Sequence, residues 1–159
     1  MNIQLICVGK LKEKFYLDAA AEYIKRLSPY CRFILTELTE ERLPDAPTQG
    51  QIDAALEKEA QAIRAKIPAN SSVIALCVEG KTRSSEELAD LVRAFEQSAA
   101  KHLVFVIGGS YGMHPSIKAE AWVRLSMSPM TFPHHLARVM VLEQIYRAFK
   151  INEGSSYHK

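Results

Sequence analysis

The residues best suited to chemistry lie in three short stretches of the C-terminal third. The apolar run Leu103-Val104-Phe105-Val106-Ile107 stops at Gly108-Gly109-Ser110-Tyr111-Gly112. Glycines directly after a buried strand permit positive φ and carry no Cβ, so a ligand can approach the backbone closely. A second unusual loop, Ser126-Met127-Ser128-Pro129-Met130-Thr131-Phe132-Pro133, opens a long apolar helix that ends in a polar tail from Asn152 to Lys159. Two loops and a tail have the makings of one site.

The familiar chemistries fail on spacing. The first strand leads into Gly9-Lys10-Leu11-Lys12 without the glycine triplet of a dinucleotide fold, which argues against a nicotinamide enzyme. Gly80-Lys81-Thr82 imitates the end of a phosphate-binding loop, but the position of its first glycine is Ala75, in mid-strand, so the tripeptide reads as a turn. His134 and His135 are adjacent and project in different directions from a helix, and Cys7, Cys31 and Cys77 are far apart. Neither set has metal-ligand spacing, so no metal is expected, and the cysteines read as reduced core residues. His134 does lie close enough to the Met127 to Pro133 loop to touch a ligand. No Ser-His-Asp or Cys-His order and no paired carboxylates stand out. A glycine loop without a nucleophile favours group transfer from a reactive cosubstrate. S-adenosylmethionine fits, because its sulfonium makes the methyl group electrophilic and leaves the protein to orient donor and acceptor.

The elements that must position these loops alternate. Ile3 to Val8 is a strand ending at Gly9, and Phe15, Ala19, Tyr23 and Leu27 recur at helical spacing until Pro29. Phe33 to Leu38 is a second strand, and the polar, proline-containing stretch Thr39 to Gly50 has the composition of a mobile loop. Ile52, Leu56, Ile63 and Ile67 mark a helix stopped by Pro68. Val73 to Val78 is a nearly continuous apolar strand, as in a parallel sheet covered on both faces. Ser84 with Glu87 makes a capping box ahead of the stripe Leu88, Leu91, Val92 and Phe95. After the strand at 103–107 come a short helix following Pro115, a short strand at Trp122 to Leu125, and a final helix over about 133–151 with Pro133 in its first turn. The pattern predicts a doubly wound α/β domain whose ligands bind at the carboxyl ends of parallel strands. The final helix is apolar on more than one face, leaving only Glu143, Arg147 and Lys150 as a polar strip. That predicts cover from two sides and hence a homodimer.

With 159 residues, 48% of them hydrophobic and 24% charged, the chain suits one domain with a full core. It has neither the order of a signal peptide nor an apolar run long enough to span a bilayer, which predicts a cytoplasmic protein with no membrane partner. The net charge of +2 is uneven. Residues 1–36 carry six basic and three acidic side chains, 37–96 seven and twelve, and 97–159 seven and three, so the segments stand at +3, −5 and +4. Basic ends that meet in space form a surface suited to phosphate.

Together, Leu103 to Gly112 (LVFVIGGSYG), Leu125 to Pro133 (LSMSPMTFP), His135-Leu136-Ala137-Arg138-Val139, Glu143 to Ala148 (EQIYRA) and the closing Tyr157-His158-Lys159 resemble the large-subunit ribosomal RNA methyltransferase H family of the SPOUT superfamily. The resemblance spans essentially the whole chain, including Val8-Gly9-Lys10 and Leu76 to Lys81. It implies one SPOUT domain over residues 1–159, a Rossmann-like parallel sheet with helices on both faces and a C-terminal deep trefoil knot, knot and cofactor site lying in about 73–159. No periodicity could show a knot, since true knots are rare.

The resemblance further implies a homodimer that binds S-adenosylmethionine through Leu76, Cys77, Gly108 and Gly109, and through Ser128, Pro129, Met130, Thr131, Phe132 and Pro133. Backbone amides and carbonyls of these loops can read the adenine edge, with Leu76, Met130 and Phe132 as apolar walls. The implied substrate is a pseudouridine of 23S ribosomal RNA within the 70S ribosome, methylated at N3. That proton ionises only well above neutral pH, so transfer requires a base or a positive field. Arg138, His158 and Lys159 are the expected groups, with Tyr157 to stack on or hydrogen-bond the base. Lys10, Lys12 and Arg138 are the expected phosphate contacts. The alternatives are a transfer-RNA methyltransferase of the same superfamily and a non-catalytic ribosome-binding factor.

Overall fold

A computed structural model describes residues 1–158, with His158 described in its backbone only. Five parallel strands, β1 (Asn2–Val8), β2 (Arg32–Leu38), β3 (Ser71–Thr82), β4 (His102–Ile107) and β5 (Val123–Ser126), form one sheet in the order β2-β1-β4-β3-β5. Helices α1 (Lys14–Leu27), α2 (Gln49–Arg64), α3 (Ser85–Glu96), α4 (Pro115–Glu120) and α5 (His134–Asn152) connect and cover them, and a short 3-10 turn at Ser156–His158 closes the described chain.

The apolar runs are continuous because both faces of the sheet are covered, with alternate residues entering different layers. Ile3, Leu5 and Cys7 of β1 and Leu103, Phe105 and Ile107 of β4 pack against α1, α3 and α5. Ile6 and Val8 of β1 and Val104 and Val106 of β4 face the opposite way, towards Ala60 and Ile63 of α2 and Ile117 of α4. The expected α/β architecture is therefore present. Among the described residues no helix is long and apolar enough to cross a membrane.

Local signals set most boundaries. The Ser84 hydroxyl accepts the Glu87 N–H at 3.2 Å and Glu87 accepts the Ser84 N–H at 2.8 Å, the reciprocal pair of a capping box. An equivalent pair between Thr48 and Gln51 starts α2 at Gln49, three residues before the first apolar mark of the pattern. Pro133 stands just outside α5 as its N-cap instead of within the first turn.

One expectation is overturned. Gly80-Lys81-Thr82 is not a turn but the end of β3, because β5 offers those residues a ladder partner. Leu125 of β5 is in register with both Leu76 and Lys81, so residues 77–80 leave the ladder and return to it. A Cβ on Gly80 would lie 2.8 Å from the backbone of Arg124 and Leu125. Only glycine lets one segment of chain pass this close to another.

Candidate active site

A cleft of about 330 Å³ opens at the carboxyl ends of β3, β4 and β5, where an open parallel sheet places its ligands. Leu76 and Cys77, in the middle of β3 where its ladder with β5 is interrupted rather than at the strand's end, lie on one side, Gly108 and Gly109 leave β4 beneath, and Ser128, Met130, Thr131 and Phe132 form the opposite wall. The structure thus brings eight of the ten expected cofactor residues to one space. Pro129 and Pro133 do not face it, and both are exposed. They restrict the backbone that carries the others.

The glycine loop is built by close approach. The Gly112 N–H donates to the Gly109 carbonyl at 3.0 Å, and Gly112 has φ of +83°. A Cβ on Gly108 would meet the Gly112 oxygen at 2.2 Å. Any side chain at 108 would therefore open the turn and move the floor of the cleft. Met130 is 72% exposed at the mouth, where an apolar ligand would cover it.

The walls carry little free charge. Lys118 is paired with Glu79, which holds the Glu79 carboxyl below its ordinary range. Burial, reinforced by the neighbouring His135, lowers the pKa of His134 from its ordinary 6.5, so its imidazole is neutral at pH 7. Backbone amides and carbonyls, apolar side chains and a neutral imidazole suit a sulfonium nucleoside, which a net positive wall would repel. The volume also falls at the lower end of the roughly 300–1,000 Å³ range of small-molecule sites.

A second cavity, of about 640 Å³, shares Leu76, Leu125, Ser126 and Met127 with the cleft. Its polar groups include Arg83 and Arg147. Arg83 Nε is buried and has no hydrogen-bond partner among the described residues. Arg147 donates to Glu143 at 2.7 Å and to the Tyr157 carbonyl at 3.3 Å, and its guanidinium lies 4.8 Å from the centre of the Tyr157 ring. The Tyr157 hydroxyl donates to Glu143 at 3.1 Å. Burial and the Glu143 charge raise the pKa of this phenol. The described end of the tail is therefore docked on α5 of its own chain, at the rim of this cavity. The side chain of His158, and Lys159 entirely, lie outside the described residues.

Arg138 corrects the sequence expectation. Its side chain is fully buried, paired with Glu37 and donating to the Gly9 carbonyl at 2.9 Å. It also lies beside Cys7, whose thiol burial pushes up to about 12. A guanidinium with no exposed surface cannot contact phosphate or base. It ties α5 to the ends of β1 and β2. Lys10 and Lys12, by contrast, are exposed.

Comparison with known proteins places this geometry. The family described as "Predicted SPOUT methyltransferase" matches residues 1–158. The chain belongs to the SPOUT methyltransferases. Proteins called "Ribosomal RNA large subunit methyltransferase H" from Clostridium novyi, Streptococcus uberis and Levilactobacillus brevis are 48%, 45% and 43% identical to it, each alignment covering 100% of both chains. A solved "probable methylase family protein" from Haemophilus influenzae Rd KW20 shares the fold at TM-score 0.54 and 15% identity. That match covers 99% of this chain and 70% of the other.

Sequence reasoning missed one polar centre of this SPOUT methyltransferase. Arg147 and Glu143 read there only as a polar strip, since a pair four residues apart on a helix is ordinary surface chemistry. The available signal was that the strip interrupts a helix otherwise apolar all round. Arg83 gave no signal, because its cavity is made by β3, β4, β5, α3 and α5 together.

Proposed function

We propose that this chain transfers the methyl group of S-adenosylmethionine to N3 of a pseudouridine in 23S ribosomal RNA, acting as a homodimer on the assembled 70S ribosome. The observation that carries this reading is the pair of adjoining cavities, one lined by backbone and apolar side chains, the other by two arginines, one of which, Arg147, is packed against Tyr157. The names of the full-length relatives supply the RNA. Bound S-adenosylmethionine supplies an activated methyl group.

The remaining work falls to the chain's own residues. The glycine loop and the Ser128 to Phe132 wall hold and orient the donor. The N3 proton passes to solvent, Arg147 stabilises the negative charge its loss leaves on the ring, and Tyr157 offers a ring face for stacking. Glu143 holds both in place. His158 and Lys159 extend the same basic end by resemblance. An approach within about 3–3.5 Å of donor carbon and acceptor nitrogen is what the shared wall between the cavities must allow.

Two further features belong to this reading. The half-buried apolar residues Leu136, Val139 and Met140 of α5, together with Phe15 of α1, 64% exposed, support a second copy as cover. The close crossing of β3 and β5 at Gly80 supports a knotted path for the C-terminal part.

The deciding experiment incubates the protein with methyl-labelled S-adenosylmethionine and unmodified 70S ribosomes, then maps the label. Label at N3 of a single pseudouridine is the expected result. Ribosome binding without incorporation, or label only on added transfer RNA, would overturn it.

A further inference from the structure

The segment joining β2 to α2 plays no part in the reading above, yet it is fastened twice. The Glu41 N–H donates to the buried Glu59 carboxylate of α2 at 3.0 Å. One residue earlier, the Glu40 carboxylate accepts the Ser110 N–H at 2.6 Å across 70 positions of sequence. A Cβ on Gly109 would lie 2.7 Å from that same carboxylate oxygen. The bare backbone at 109 is therefore what admits Glu40.

The other Glu40 oxygen lies 3.8 Å from the Cβ position of Gly9, and that position is 3.2 Å from His134 Nε2. Glu40 thus reaches the glycine loop, and approaches the turn after β1, without lining the cleft itself. It holds the floor from outside. Within the stretch expected to be a loop, a carboxylate and a buried acceptor hold the first residues.

We infer that Glu40 is a positioning residue for the cofactor loop, with the segment from residue 39 acting as a strap across its outer side. Glycine-rich backbone loses the most freedom on ordering. A charge-assisted hydrogen bond to Ser110 places that ordering in the free protein, so the donor meets a formed floor. Without the bond, the loop must order as the ligand binds, and affinity falls. Transfer from the bound state is unaffected, because Glu40 lines neither cavity and reaches the cleft only through the outer side of its floor.

This inference rests on the S-adenosylmethionine reading, so cofactor binding is measured first on the unaltered protein by calorimetry. Failure to bind there overturns the reading and the inference with it. Given binding, Glu40→Ala is expected to weaken affinity and raise KM for S-adenosylmethionine by about tenfold, the scale of one charge-assisted hydrogen bond. Saturated kcat is expected to stay within about twofold and KM for ribosomes to stay unchanged, as preorganisation lost in the ground state requires. Glu40→Gln, whose amide oxygen can accept the same N–H, is expected to recover most of the affinity. Glu40→Asp, one methylene too short to reach Ser110, should match the alanine variant and serves if that variant does not fold. Unchanged affinity in the aspartate or alanine variant, or a loss confined to kcat, would overturn the inference alone.

Discussion

Two arginines of α5 have opposite surroundings. Arg138 and Arg147 are nine positions apart, about two and a half helical turns, which puts them on opposite faces. Arg138 points into the core, fully buried between Glu37 and the Gly9 carbonyl. Arg147 points to the rim of the second cavity, held by Glu143 and capped by Tyr157. One guanidinium fastens the helix to the sheet and the other lines a cavity. Residue type and family position alone do not separate these roles. The helix face does.

The comparison breaks most directly at Arg138. Replacing it with alanine leaves Glu37 and the Gly9 carbonyl without their partner, and removing one member of a buried pair costs about 3–5 kcal/mol. Urea denaturation should show that loss, and retention of full stability would make Arg138 dispensable to the core. Arg147→Ala should do the opposite. We expect about a hundredfold fall in methyl transfer, the scale of one charge-stabilising group, with less than about 1 kcal/mol lost in unfolding, since its partners are reached by solvent. Equal effects of the two variants on stability would erase the distinction.

The smallest effect sharpens the same boundary through His134, at the start of α5. Its folded pKa is lowered below 6.5, so the unfolded chain binds the proton more readily. Stability from this group is full above the ordinary value and is lost as pH falls below it. The Tm of the unaltered protein should therefore drop between pH 7 and pH 5 by more than that of a His134→Asn variant. Parallel profiles would show that His134 is equally free to protonate in both states.

Much of the fold was legible because its signals are local. The strands at Ile3 to Val8 and Leu103 to Ile107, the Ser84 to Glu87 box and the helix start at Pro115 each depend on neighbours within a few residues. The cofactor loops were legible for the same reason, since Gly108-Gly109 and Ser128 to Phe132 are unusual as written. Gly80-Lys81-Thr82 was misread as a turn because its strand partner, Leu125, is 44 residues from Lys81. Glu143 and Arg147 looked like an ordinary surface pair, and Glu40 like any loop carboxylate.

The sequence by itself determined the alternation of strands and helices, the parallel character of the sheet and the backbone-lined nature of the cleft. Periodicity, caps and glycines act over a few residues and are written directly in the chain. Only the tertiary structure decided which face of α5 turns inward, and so which arginine is buried. It also decided that Gly80 lies against the backbone of β5, that Glu40 meets Ser110, and that two cavities share the wall of Leu76, Leu125, Ser126 and Met127. These depend on contacts between residues tens of positions apart, set by the packing of whole elements rather than by any local preference.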